Sequence, residues 1–105
     1  MTLNNDYYEL VSVPSSNNLY RIRATEDIPR HGVKAGEYGG YVHSKRNLHG
    51  GAWLDKLCMC LDDAQVFYGA FVGGDSVVRD SAQIFGNVSI SGSQIFNGNT
   101  IIHGD

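Results

Sequence analysis

The residues of this chain that could do chemistry are four histidines, two cysteines and a set of turn aspartates. A metal centre needs imidazoles that converge on one point. His31, His43 and His49 fall in the first half without ligand-like spacing, and His103 stands far from them. A general base for acyl transfer would need His49 or His103 beside a groove between subunits. Cys58 and Cys60 are two residues apart, which ordinary disulfide geometry does not accommodate. They read as small apolar core residues, and neither pairs with a histidine that would make it a nucleophile. Gly36, Gly39 and Gly40 lack the Gly-x-x-x-x-Gly-Lys-Ser/Thr form of a phosphate cradle and read as tight-turn residues. The expectation is no catalytic residue, no metal and no cofactor.

The element that must position these side chains has a period of six. Every sixth residue from Leu54 is apolar: Leu54, Cys60, Val66, Val72, Val78, Ile84, Ile90, Phe96 and Ile102. Two positions earlier stand mostly small residues, namely Ala52, Cys58, Ala64, Ala70, Ser76, Ala82 and Val88, then Gln94 and Thr100. Turn pairs follow from the fourth repeat on, such as Gly74 and Asp75, Gly86 and Asn87, and Gly98 and Asn99. A helical face would repeat every three to four residues, and a lone strand would only alternate. Gly, Asn and Asp tolerate φ > 0, so each pair can bend the chain. Between bends, Ala82 and Ile84 point one way while Gln83 and Phe85 point the other. A chain that extends, bends and extends again closes into a three-sided coil, the β-helix that hexapeptide repetition signals. The fold class predicted is all-β: about three coils over residues 50–105, preceded by a cap over residues 1–49. Lys56 with Leu57, Asp62 with Asp63 and Tyr68 with Gly69 are poor turn pairs and predict an irregular first coil. Gln94, large where a small residue is expected, puts a register disturbance near residues 93–96.

These repeats, clearest over residues 78–90, resemble the hexapeptide-repeat, left-handed β-helix superfamily with its aliphatic–x–Gly–Asn/Asp–small–x unit. The resemblance covers about half the chain and implies the hand of the coil, which spacing alone does not choose. It implies little about activity, because the same coil serves acyltransferases, carbonic anhydrases and proteins with no enzymatic role. The run Val33-Lys34-Ala35-Gly36-Glu37-Tyr38-Gly39-Gly40-Tyr41-Val42 has Arg21-Ile22-Arg23-Ala24 before it and Asn47-Leu48, then Gly51-Ala52-Trp53, after it. That order is similar to an N-terminal segment of small phage, prophage and gut-bacterial hexapeptide-repeat proteins. The likeness implies a mobile-element origin and a bacterial host cytoplasm.

The N-terminal half reads as a hairpin and a Gly-rich stretch. Residues 1–5 are polar and expected to fray. Residues 6–13 and 19–25 alternate like strands around a polar turn containing Pro14. Residues 27–31 can hold a single helical turn. Together these close the first coil and shield its edge. Neither a secretory leader nor a membrane-length apolar run is evident, and two inward cysteines fit a reducing compartment.

Charge is uneven along the 105 residues. Residues 1–49 hold six Lys/Arg against five Asp/Glu, and residues 50–105 hold two against six, giving the net −3. An acidic coil disfavours direct nucleic-acid binding. Asp62, Asp63, Asp75 and Asp80 instead offer contacts to a basic protein surface.

With about eighteen residues per coil, outward positions stack in columns. Phe67, Phe85 and His103 form one, beside Gln65, Gln83 and Ile101. Met59, Val77 and Ile95 form another, beside Leu61, Arg79 and Asn97. Trp53 and Phe71 lead to Ser89 on the third side. Apolar columns on an exterior mark interfaces. The N-terminal hairpin is the candidate to fold over one side, and a partner or second copy to cover another. The last repeat leaves a strand edge and the ends of Ile90, Phe96 and Ile102 open, which favours an end-to-end homodimer. The leading expectation is a non-catalytic protein-binding module that blocks a host defence nuclease, in the manner of anti-CRISPR proteins, by occupying its nucleic-acid surface. A minimal hexapeptide acyltransferase and a self-assembling structural module are the alternatives.

Overall fold

A computed structural model of the chain describes residues 7–16 and 18–104. The expectations for residues 1–6, Asn17 and Asp105 lie outside the described residues. Three longer strands come first: β1 (Tyr8–Ser12), β2 (Tyr20–Ala24) and β3 (Tyr38–Val42). Nine short ones follow: β4 (Trp53–Leu54), β5 (Met59–Cys60), β6 (Gln65–Phe67), β7 (Phe71–Val72), β8 (Val77–Val78), β9 (Gln83–Phe85), β10 (Ser89–Ile90), β11 (Ile95–Phe96) and β12 (Ile101–His103). The only helical pieces among the described residues are 3-10 turns at Pro29–His31 and Lys45–Asn47. No helix there is long and apolar enough to cross a membrane.

The six-residue beat winds into a parallel β-solenoid of about four turns. Each strand pairs with the strand eighteen residues on, as in Met59↔Val77, Trp53↔Phe71 and Gln65↔Gln83. The next turn repeats this in Ile95↔Val77, Ser89↔Phe71 and Ile101↔Gln83. Three sheets result, in the orders β1-β2-β3-β5-β8-β11, β10-β7-β4 and β12-β9-β6. The sixth-residue set lines the interior: Leu54, Cys60, Val66, Val72, Val78, Ile84 and Ile90 are buried. The small set turns the corners at no exposure, since only a short side chain fits where two walls meet: Ala52, Cys58, Ala64, Ala70, Ser76 and Ala82. Ser76 is the polar member, and its hydroxyl lies within bonding distance of the Gly73 and Gly92 carbonyls.

Winding starts earlier than the repeat pairs suggest. Tyr41 and Val42 of β3 pair in parallel with Met59 and Cys60, and Leu48 bridges in parallel to Val66. Val42 and Leu48 continue the six-residue count backwards from Leu54, and both are fully buried. The Gly-rich stretch is therefore the first wall of the solenoid. Gly39 and Gly40 are strand residues here, not turn residues. A Cβ at Gly39 would lie 2.6 Å from the Leu54 carbonyl oxygen, and one at Gly40 2.4 Å from that of Cys58. Their bare backbones let β3 sit against the turn that joins β4 to β5.

The expected irregular first coil is not found, because its register is as regular as the later ones. Asp62 and Tyr68 take left-handed φ values of 58° and 55°, so the poor turn pairs still bend. Gln94 leaves the register intact as well. It sits exposed on the last turn, where its amide bonds the Ser91 carbonyl instead of entering the core.

The hairpin β1–β2 forms as predicted and pairs antiparallel with β3, lengthening one sheet. It does not fold over a side. Tyr7 and Tyr8 lie in the same buried cluster as Leu48 and Ala52. The Tyr7 hydroxyl donates to the Ala52 carbonyl at 2.7 Å, and that of Tyr8 to the Leu48 carbonyl. The cover over one side comes from the following segment. Ile28 and Val33 bridge, the His31 ring stacks on Phe71 at 5.5 Å, and Trp53 beneath is 2% exposed.

Candidate interaction surface

The outward columns predicted from the sequence are present and sort into three sides of different character. On the β6-β9-β12 side, residues eighteen apart bring four rings into one stack. His49 lies 5.1 Å from Phe67 at an interplanar angle of 11°. Phe67 lies 4.8 Å from Phe85 at 13°, and Phe85 lies 5.6 Å from His103 at 20°. Tyr68 meets Phe67 edge-on at 4.9 Å. The solenoid rise alone sets these spacings near the optimum for aromatic contact, where each pair is worth roughly 0.5–1.5 kcal/mol beyond area burial. Gln65 and Gln83 run beside the stack, half-buried, and lead to Ile101, which is 57% exposed.

His49 was placed in the cap by sequence reasoning, yet it opens this stack. Its position eighteen residues before Phe67 was the available signal. Its Nε2 lies 2.9 Å from the Gln65 side-chain oxygen, which fixes the ring over Phe67. His103 caps the other end, outward as expected.

The second column, Met59, Val77 and Ile95, lies on the sheet that β3 and the hairpin extend. Tyr41 stands in register with Met59, and the Arg21 guanidinium lies over both Tyr41 and Tyr38 at 5.3 and 4.9 Å. Met59 and Val77 are half-buried, and Ile95 is 66% exposed. On the third side the predicted Trp53 and Phe71 are covered from within the chain and leave the candidate surface.

The aspartates sit at corners with structural employment. Asp80 donates its backbone N–H to the Asp62 carboxylate at 3.2 Å, and Gly98 donates to the Asp80 carboxylate at 2.9 Å. The Asp62 N–H in turn donates to His43 Nδ1 at 2.9 Å. Each acid thus holds the next turn in place, which repays its left-handed backbone. Asp63 pairs with Arg46 at 3.1 Å, an exposed bridge worth little. Asp75 accepts from the Ser93 hydroxyl. All four carboxylates remain exposed and form acidic corners beside the β5-β8-β11 wall.

Asn47 is the buried polar residue that sequence reasoning did not single out. Its Oδ1 accepts from the His43 and Ser44 N–H groups at 2.8 and 2.9 Å. Its Nδ2 donates to the Asp62 and Ala64 carbonyls at 3.1 and 2.8 Å. One side chain therefore pins the first coil to the second. The thiols of Cys58 and Cys60 point inward, unpaired with each other, and burial pushes both pKa values up. A thiol held in its neutral form is a poor nucleophile.

Burial lowers the His31 pKa, against an opposing bond from Nε2 to the Gly51 carbonyl at 2.9 Å and with a smaller push from the Arg30 charge. Among the described residues, no three His, Cys, Asp or Glu side chains cluster as a metal site. No family model, curated protein or solved structure matches this chain.

Proposed function

We propose that this chain is a non-catalytic β-helical protein-binding module that docks through its ring-bearing side. The observation that carries the reading is the unbroken stack of His49, Phe67, Phe85 and His103, with both imidazoles exposed and both phenyl rings half-buried. Rigid aromatic platforms give large contact area at low entropic cost, which is why interfaces favour them. A side that served only to wrap the core would need no rings, as the neighbouring Gln65 and Gln83 illustrate.

The acidic corners at Asp62, Asp63, Asp75 and Asp80 suit a basic partner, steering its approach and orientation. With the phage-like N-terminal segment, this favours a host defence nuclease whose nucleic-acid channel the rod would fill. The test is affinity capture from bacterial lysate, followed by a binding assay of the captured nuclease with its nucleic acid. Recovery of a nuclease whose nucleic-acid binding drops on adding this protein supports the reading. Recovery of this chain alone would favour a self-assembling module, for which exposed Ile95 and Ile101 are the supporting observation.

A further inference from the structure

A groove of about 480 Å³ opens beside the segment that covers Trp53 and Phe71, lined by Arg30, His31, Tyr68, Asn87, Val88 and Ser89 with Gly69 and Gly86. Its charge is unbalanced. Of the arginines in the first half, Arg21 reaches the Gly39 carbonyl, Arg23 pairs with Glu9 and Arg46 with Asp63. The Arg30 guanidinium, like that of Arg79 in the second half, has no hydrogen bond or ion pair among the described residues, and of the two only Arg30 lines this groove. No carboxylate lines this groove, whereas the groove on the other side of His31 sets Glu37 and Asp55 against Arg21 and Lys56.

Tyr68 marks the same place independently. The column Gly50, Tyr68 and Gly86 has φ values of 66°, 55° and 84°, so a tyrosine occupies a turn that glycine fills in the flanking coils. The edge contact with Phe67 helps to hold that turn and leaves the phenol end of the ring outside the stack. The ring is 68% exposed, and its hydroxyl bonds nothing among the described residues. The Asn87 amide and the Ser89 hydroxyl are likewise unengaged there. Gly69 gives the guanidinium its seat, since a Cβ on that residue would fall 2.2 Å from Arg30 Nη1.

We propose that this groove is a binding site for an oxyanion, a carboxylate or phosphate group, held by Arg30 with donors from Tyr68, Asn87 and Ser89. A guanidinium takes either group in paired hydrogen bonds. The site lies on a different corner from the aspartates and adjoins the ring stack through the edge contact of Tyr68 with Phe67.

The test is an amide NMR titration of the full chain with inorganic phosphate and, separately, with acetate, against sodium chloride at equal ionic strength. Saturable shifts are expected at Tyr68, Gly69, Asn87 and Ser89 and at the Arg30 side-chain N–H. Saturation by phosphate alone assigns a phosphate site, and saturation by acetate alone or by both assigns a carboxylate-accepting one. Exposed Arg30→Gln is expected to weaken binding roughly tenfold or more, and Tyr68→Phe to weaken it less while keeping the edge contact with Phe67. Bound phosphate should also raise the His31 titration midpoint in the parent protein and leave it unmoved in Arg30→Gln. Shifts no larger than those in sodium chloride, or equal in Arg30→Gln, would overturn the proposal.

Discussion

At the scale of single residues, Asn47 shows how one side chain closes a polar account. All four of its bonding positions are filled at zero exposure. Asn47→Ala leaves two donors and two acceptors short, and each unsatisfied buried group costs about 1–3 kcal/mol. Urea denaturation should show a loss on the order of 3 kcal/mol or more. A loss below about 1 kcal/mol would mean that water replaces the amide without penalty. His31 gives a pH prediction. Its folded pKa lies below the ordinary 6.5, so the unfolded chain binds the proton more readily. Stability should fall as pH drops through about 6.5 and level off beneath the folded value. Comparing parent and His31→Phe by denaturation between about pH 8 and pH 5 isolates this, since the phenyl ring keeps the stack on Phe71. The parent's advantage should shrink towards acid, and a difference constant with pH would contradict the assignment.

At the scale of the element, the corner carboxylates decide whether one coil seats on the next. Asp80 has a left-handed backbone and accepts from the Gly98 N–H. Asp80→Ala should cost about 1–2 kcal/mol, from the lost bond and the unsuited φ. Asp80→Asn should cost far less, since asparagine tolerates that φ and keeps an acceptor. Equal losses measured by thermal melting would assign the effect to charge instead. The coil itself was legible, because a six-residue beat has few other physical solutions. The sheets, the inward set and the outward columns all follow from it. Less legible were the places where the beat continued without its turn signature. Val42, Leu48 and His49 obey the same count, but Lys45–Asn47 form a 3-10 turn, capped by Ser44, where a Gly-Asn or Gly-Asp pair would have announced a bend. Asp62 and Tyr68 hid two further bends, because propensity gives no warning that a carboxylate bonded to the next coil, or a ring packed on Phe67, will hold a left-handed turn. The cover over Trp53 was not legible, because the segment around His31 has no pattern of its own and the hairpin was the only candidate to fold over a side.

At the scale of the whole molecule, stability rests on one continuous core from Tyr7 to Ile90. Ile84→Asp places a carboxylate in the centre of it with no partner. It should abolish the cooperative unfolding transition, since the penalty is comparable to the 5–15 kcal/mol that holds a small domain together. Retention of a sharp melt would show the interior to be wetter than its burial indicates. The exterior is where function is argued. One side is covered by the chain's own segment, one is an extended sheet flanked by acids, and one carries the ring stack. A protein partner must engage the last of these if the account is right. The most direct measurement is affinity capture with the parent and with Phe85→Ser, both verified as folded by circular dichroism. The parent is expected to retain a partner through washing at about 0.15 M salt and Phe85→Ser to lose it. Equal recovery with both, or no partner with either, would contradict the claim that this side is a docking surface.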